Sequence, residues 1–332
     1  MKKLLALALA LCMVFALCAC GQQAAAPAAE EPAAAPAEEA APAEAESAIA
    51  GKQIAWVDFN LSTELQILLT AALEENFEKL GVDLLVVDSE GDAALQVSQV
   101  ESFIAQGVDL IMMSAADAEA SCVAVDECNE AGIPIMIVNA TLNNVDEALC
   151  YVGCNDLDAG KILMQYSAET MGGKGNICVL RGPDGLAASE LRTSGINEVL
   201  EDYPDITVCS SQACNWLTQL AMSTTENWLQ NYELNAIVSE NDEMALGAVE
   251  AIKGQGLTTK DVMVFGIDGI ALAYESISKG EMTGTLLQDA AAIGAKAVEV
   301  ANLYFETGSV ESEYLVPWTV VDASNIDQYY KG

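Results

Sequence analysis

Histidine is absent from the 332 residues, and basic side chains are scarce: 13 Lys and Arg stand against 50 Asp and Glu, a formal net charge of -37. The missing imidazole excludes His-based general acid–base catalysis, Ser-His-Asp and Cys-His nucleophiles, and His-ligated metal sites. The deficit of cations makes a surface that repels phosphate backbones, so nucleic acid is not expected as a partner. Aromatic residues are few (6%), yet 52% apolar and 19% charged residues suffice to bury ordinary cores and exclude a wholly disordered chain. At about 150 residues per domain, the length predicts two domains. What remains open is a binding protein, or an enzyme relying on carboxylates or a bare thiol.

The apolar run Leu4–Leu17 is shorter than the roughly 20 residues of a membrane-spanning helix. With Lys2 and Lys3 before it, the run has the build of a secretory leader. Its end, Leu17-Cys18-Ala19-Cys20, resembles the lipobox of bacterial lipoproteins, which implies cleavage after residue 19 and lipidation of Cys20. The alternative is an ordinary secretory signal cut nearby. Residues 20–51 are mostly Ala, Pro, Glu and Gln, and this composition predicts an extended, self-repelling tether. Losing Cys12 and Cys18 with the leader and Cys20 to lipid leaves seven of ten cysteines, an odd number that cannot all pair internally. Cys150/Cys154 and Cys209/Cys214 lack CxxC spacing, so buried free thiols are expected, with one disulfide left open.

From residue 52 onward, apolar strand-like runs alternate with segments of helical period. Strands are predicted at Gln53–Phe59, Val82–Asp88, Asp109–Met113 and Pro134–Asn139, with helices between them over 63–80, 93–106 and 117–131. Thr63 followed by Gln66 reads as a capping box. The rhythm restarts after Cys150, with strands at Asn176–Leu180, Thr207–Ser211, Ala236–Ser239, Val262–Gly266 and Thr283–Leu287. Helices fall at 156–171, 187–202, 217–231, 244–253, 272–279 and 292–307, before an extended tail around 315–321. The strands are continuous apolar runs (DLLVVD, DLIMM, IPIMIV), as strands covered by helices on both faces must be. The reading is an α/β protein of two doubly wound parallel sheets, with ligands at the carboxyl ends of the strands.

Gln96-Val97-Ser98-Gln99-Val100-Glu101, Gln106-Gly107-Val108-Asp109 and Glu130-Ala131-Gly132-Ile133-Pro134 resemble the first lobe of sugar-type periplasmic binding proteins. Asn241-Asp242-Glu243-Met244-Ala245-Leu246-Gly247 and Gly266-Ile267-Asp268-Gly269 resemble the second. The likeness to the ribose-binding pattern covers residues 52–332. LacI-type repressors share the second-lobe stretch, but they carry a DNA-binding domain where this chain has its leader. The resemblance implies the type I fold, with two lobes joined by a three-segment hinge crossing near Cys154-Asn155, Gln288-Asp289 and Pro317-Trp318. The implied organisation is a leader (1–19), a tether (20–51), an N-terminal lobe (52–154 plus 289–317) and a C-terminal lobe (155–288 plus 318–332).

A sugar pocket needs flat apolar surface for C–H faces and planar forked groups for hydroxyls. By resemblance, Arg192 is the guanidinium donor, Asn241 and Gln288 are amides, Asp268 is the acceptor carboxylate and Trp216 is the covering ring. Each has a plainer reading: Asn241 as a helix cap, Arg192 as a solvated charge, Asp268 as a turn residue and Trp216 as core. In the first lobe the chain departs from the family. Thr63-Glu64-Leu65-Gln66 replaces the stretch with two stacking rings, Asn139-Ala140 replaces an Asp-Arg pair, Phe59 replaces a serine and Ser114 a loop asparagine. Phe59 is expected to restore a ring from another direction, and the loss of an arginine at Ala140 to remove charge and add volume. Glu64 is expected to face the surface; pointing inward, it would favour an amino-bearing group.

Of the remaining acids, Asp88–Asp92 and Asn155–Asp158 lack EF-hand spacing and read as solvated loops, and only Asp268 is expected to face the cleft, which argues against hydrolysis. No metal or cofactor is expected. The resemblance implies a monomeric substrate-binding protein, held to the membrane by lipid, that delivers a neutral sugar-like solute to an ABC permease and its ATPase. The alternative is an extracytoplasmic sensing subunit that presents its solute to a membrane receptor.

Overall fold

The computed structural model describes residues 47–331. The leader, Cys20 and the tether up to residue 46 lie outside the described residues. The packed chain begins earlier than residue 52: Ile49 is fully buried, and the Ser47 hydroxyl bonds to Asn302.

The first half alternates β1 (Ile54–Asp58), α1 (Glu64–Lys79), β2 (Leu84–Asp88), α2 (Ala93–Gln106), β3 (Leu110–Met113), α3 (Cys122–Ala131), β4 (Ile135–Val138) and β5 (Cys150–Gly153). The second continues with α4 (Asp156–Met171), β6 (Gly175–Arg181), α5 (Ala187–Leu200), β7 (Ile206–Ala213), α6 (Thr218–Asn231), β8 (Ala236–Ser239), α7 (Asp242–Gly254), β9 (Met263–Asp268), α8 (Ala271–Ser278) and β10 (Gly284–Leu287). The chain closes with α9 (Ala290–Thr307), β11 (Glu313–Leu315) and β12 (Thr319–Asp322). Two six-stranded sheets result, ordered β11-β5-β4-β3-β1-β2 and β12-β10-β9-β8-β6-β7, parallel except where β12 runs against β10. The chain passes from one sheet to the other between β5 and α4, between β10 and α9, and between β11 and β12.

Every residue of β1, β3, β4 and β8 is buried, because helices cover both faces of each sheet. Leu69, Leu73 and Phe77 of α1 meet Ile293, Ala297 and Val300 of α9 on one face of the first sheet. Val100, Phe103, Val125 and Cys128 of α2 and α3 cover the other. Burying each such large side chain stabilises by roughly 1.5–3 kcal/mol. In the second lobe Gly160 and Gly195 let α4 and α5 touch backbone to backbone. A Cβ on Gly160 would stand 2.1 Å from the Arg192 carbonyl, and one on Gly195 2.2 Å from that of Leu157.

Three expectations are corrected, and one is met. Thr63 precedes α1 but makes no side-chain cap bond, because Gln66, the other half of the expected box, is drawn into the interior. Helix α3 starts at Cys122 rather than residue 117, since the Asp117 side chain instead ties a turn through the N–H groups of Glu119 and Ala120. Cys150–Gly153 forms a strand the sequence reading passed over. As expected, the seven cysteines of the described residues are free, five of them buried. Burial holds the thiols of Cys128, Cys150, Cys154 and Cys178 up at about 12.

Candidate ligand cavity between the lobes

The carboxyl ends of both sheets face each other. Immediately beyond β1 lies Phe59, beyond β3 Ser114, beyond β4 Asn139, beyond β8 Glu240 and Asn241, and beyond β10 Gln288, while Asp268 ends β9. Between them is a cavity with about 420 Å³ of atom-free space, the solvent at its mouth included.

Seven of the eight candidate residues line it: Arg192, Trp216, Asn241, Asp268, Gln288, Asn139 and Phe59. Ser114 does not. It is fully buried behind the wall, where its hydroxyl meets the Gln66 amide at 3.3 Å and accepts the Ala140 N–H at 3.3 Å. The sequence reading missed Gln66 and Asp156 as lining residues and Glu240 as their neighbour. Asp156 is no solvated loop acid: it opens α4, is buried and accepts from Arg192 Nε at 2.9 Å. Asp268 is therefore not alone among acids at the cleft. The signal for Asp156 was its place directly after the capping Asn155, at the point where the chain changes lobes.

Arg192 is buried and committed on three sides. Besides Asp156, it donates to the Glu240 carbonyl at 2.6 Å and to Gln288 Oε1 at 3.1 Å. A directed chain continues from there. Gln288 Nε2 donates to Asn139 Oδ1 (2.8 Å), Asn139 Nδ2 to Gln66 Oε1 (2.8 Å), and Gln66 Nε2 to Asp58 Oδ1 (2.6 Å). A guanidinium can only donate and a carboxylate only accept, so the two ends fix the orientation of all three amides. The relay spans both lobes. It leaves one N–H of Asn139 and two of Arg192, all on residues that line the cavity, without a protein acceptor.

Asp268 Oδ1 is buried without a hydrogen-bond partner and lies 3.8 Å from Arg192. Burial drives its pKa well above the usual range; Arg192 opposes this, while Glu243 and Asp242 add to it. Burial works against the Arg192 charge, but Asp156, Asp268 and Glu240 outweigh it, and its pKa is raised. Burial pushes Glu240 up to about 7 despite bonds from Thr193, Gly182 and Ser189, and Asp58 up to about 6 despite bonds from Gln66, Asn60 and Thr70. Asn241 does both jobs open to it: its Oδ1 caps α7 through the Met244 N–H (3.0 Å), and it lines the cavity. Trp216 packs under Arg192, with the guanidinium 5.9 Å from the ring centroid. Asn139, Trp216 and Asp268 all hold positive φ (69°, 62° and 122°). Strained backbone of this kind gathers where side-chain aim matters.

Glu64 points neither into the cavity nor freely into solvent. Its Oε1 accepts the N–H of Ala271, the first residue of α8 in the other lobe, at 3.2 Å, while Glu243 of α7 accepts the Glu64 N–H at 3.0 Å. Each lobe thus caps a helix of the other. On the opposite rim the Ala118 N–H donates to the Gly185 carbonyl at 2.9 Å.

Comparisons with known proteins agree with this layout. Residues 54–308 match the family model described as periplasmic binding protein domain. A xylitol-binding protein of Mycolicibacterium smegmatis is 34% identical over 248 residues, 74% of this chain and 70% of the relative. A ribose import binding protein of Bacillus subtilis is 29% identical over 243 residues, 73% of this chain and 78% of the relative. An ABC transporter solute-binding protein from Bacillus halodurans, solved with bound myo-inositol, superposes with TM-score 0.80 at 31% identity, covering 84% of this chain and 98% of that one. A periplasmic solute-binding protein from Actinobacillus succinogenes, solved with bound D-allose, gives TM-score 0.79 at 33% identity, covering 84% of this chain and all of the other.

Proposed function

This chain belongs to the type I periplasmic sugar-binding protein family, and from that premise we propose that it is the lipid-anchored solute receptor of an ABC importer, taking a neutral polyhydroxylated solute into the interlobe cavity. The family is one of solute-binding proteins, not enzymes, and works outside the cytoplasmic membrane. The anchor rests on Cys20 and its lipobox-like surroundings. The observation that carries the ligand reading is Asp268: a residue lining the cavity whose buried carboxyl oxygen Oδ1 has no hydrogen-bond donor among the described residues. Leaving such a group unpaired costs roughly 1–3 kcal/mol, which a ligand hydroxyl would recover.

Charge narrows the class. Among the described residues Arg192 is the one cation lining the cavity, and Asp156 already pairs with it. An anionic solute would find no unpaired cation among the described lining residues. The relatives named for ribose and xylitol, and the solved neighbours holding myo-inositol and D-allose, support a neutral polyol or sugar. Closure follows from contacts made only when the lobes meet. The Gln288–Asn139 bond and the reciprocal caps of Glu64 and Glu243 stabilise the shut form, and a ligand touching both lobes shifts the balance toward it. The closed form would then dock on the permease.

A thermal-shift panel of pentoses, hexoses, polyols, cyclitols and nucleosides tests this. A true ligand at about 100 times its Kd stabilises by about 2.7 kcal/mol. No shift with any neutral polyol, or a shift only with anionic solutes, refutes the reading.

A further inference from the structure

Arg192 belongs to the second lobe, yet each of the three passages between the lobes supplies one of its contacts. Asp156, just past the first crossing, accepts from its Nε at 2.9 Å, and Gln288, at the second, accepts from its Nη2 at 3.1 Å. At the third, between β11 and β12, stands Trp318, whose ring centroid lies 5.6 Å from the guanidinium carbon. A cation this near an indole is attracted by the ring's quadrupole. Trp318 does not line the cavity; it is half-buried and packs against the cores of both lobes. Its indole N–H donates to the Asn155 carbonyl at 2.8 Å, which ties the third crossing to the residue just before Asp156.

Resting on the reading of the cavity as a polyol site, we propose that Trp318 is a positioning residue for Arg192, transmitting the angle between the lobes to the guanidinium that the ligand meets. Hinges are a few element-terminal residues that absorb the backbone rotation of closure, and in this chain all three passages hold the same side chain. Nε, Nη1 and Nη2 each commit one N–H to the protein, which fixes the guanidinium within its plane. The Trp318 indole resists its tilting. The two N–H groups left for a ligand therefore keep their aim only while the crossings keep their closed arrangement. Hydrogen bonds weaken steeply once the donor angle falls below about 120°, so a loosened guanidinium is read as lost affinity.

The chain has only two arginines, Arg181 and Arg192, so their Nε–H groups give two signals in a nitrogen-15 correlation spectrum. In Trp318→Leu the Arg192 Nε–H should exchange with water about tenfold faster or more, through local opening. The buried Trp56 indole N–H, bonded to Thr70 at 2.8 Å, should keep its rate and so exclude general loosening. Trp318→Phe keeps a ring but loses the tie to Asn155, and its Arg192 rate should fall between those of the parent and the Leu variant. Titration calorimetry with D-ribose, xylitol, D-allose and myo-inositol supplies the second readout. The tightest binder of these should lose about tenfold in affinity in Trp318→Leu, with part of the loss recovered in Trp318→Phe. An Arg192 rate equal to the parent's, or one that rises only together with that of Trp56, would show packing alone and overturn the proposal. A faster Arg192 signal with unchanged affinity overturns it as well. Should the Leu variant not fold, an unchanged Arg192 rate in Trp318→Phe does the same. Failure of every neutral polyol to bind the parent sinks the cavity reading instead, while the exchange rates still judge the contact between Trp318 and Arg192.

Discussion

Glu240→Gln should stabilise the protein at alkaline pH and do little at acid pH. The Glu240 carboxyl is fully buried, with Oε2 accepting from the Gly182 N–H (2.8 Å) and the Ser189 hydroxyl (2.9 Å), and Oε1 from Thr193. A glutamine oxygen can keep the first two bonds, and its NH2 can donate to the Thr193 hydroxyl. Burial raises the Glu240 pKa from 4.5 to about 7. A carboxyl raised on folding binds more protons in the native state, so its contribution to stability is lost as pH climbs from about 4.5 to about 7. For this shift the native protein carries a cost of about 3 kcal/mol at pH 8 and less than about 1 kcal/mol at pH 5. Gln removes that cost. Thermal unfolding followed by circular dichroism should show the variant melting about 5–10 °C above the parent at pH 8, and within about 3 °C of it at pH 5. A gain equal at both pH values, or a loss at pH 8, would refute the claim that Glu240 is a strained buried charge.

Other outcomes follow from the same geometry. Arg192→Ala should abolish ligand-induced stabilisation and strand Asp156, lowering stability by about 3–5 kcal/mol in denaturant titration. Arg192→Lys should not restore binding, since one ammonium cannot reach Asp156, the Glu240 carbonyl and Gln288 together. Gln66→Glu sets two carboxylates against each other at Asp58; urea midpoints should fall strongly at pH 8 and recover toward the parent value below pH 5. Gly182→Ala places a Cβ 2.1 Å from the Trp216 ring. It should weaken ligand affinity at least tenfold in calorimetry while the unfolding transition stays cooperative. Ser114→Ala should leave affinity within a factor of about two, because Ser114 stands behind the wall.

The fold was legible because its physics is local. Runs such as LIMM and IMIV are apolar throughout and are buried along their whole length, as expected of strands covered on both faces, whereas LLVVD, read the same way, is an edge strand that stays partly exposed. Gly107, Gly132, Gly172 and Gly308 mark helix ends by taking the left-handed conformation. The second-lobe side chains were legible because they sit on stretches close to the family pattern. The first lobe was harder to read. There the chain has diverged, and the behaviour of a diverged residue depends on partners far along the sequence. Thr63 and Gln66 have capping-box spacing, yet Gln66 satisfies Asp58, 8 residues back, and Asn139, 73 residues on. A buried carboxylate in need of a donor outweighs one helix cap, and no local pattern reveals it. Glu64 likewise takes its place from Ala271, 207 residues away. Asp156 was hidden for the same reason, since only its pairing with Arg192 separates it from an exposed loop acid.

The most direct test of the central claim is a crystal structure of the protein with the best ligand from the neutral panel. The ligand should lie between the lobes, with hydroxyls within about 3 Å of Asp268 Oδ1 and of the Arg192 Nη atoms, each of which keeps one N–H to donate, and the Gln288–Asn139 bond intact beneath it. A ligand seated outside that cavity, or inside it with Asp268 still unpaired, would contradict the account.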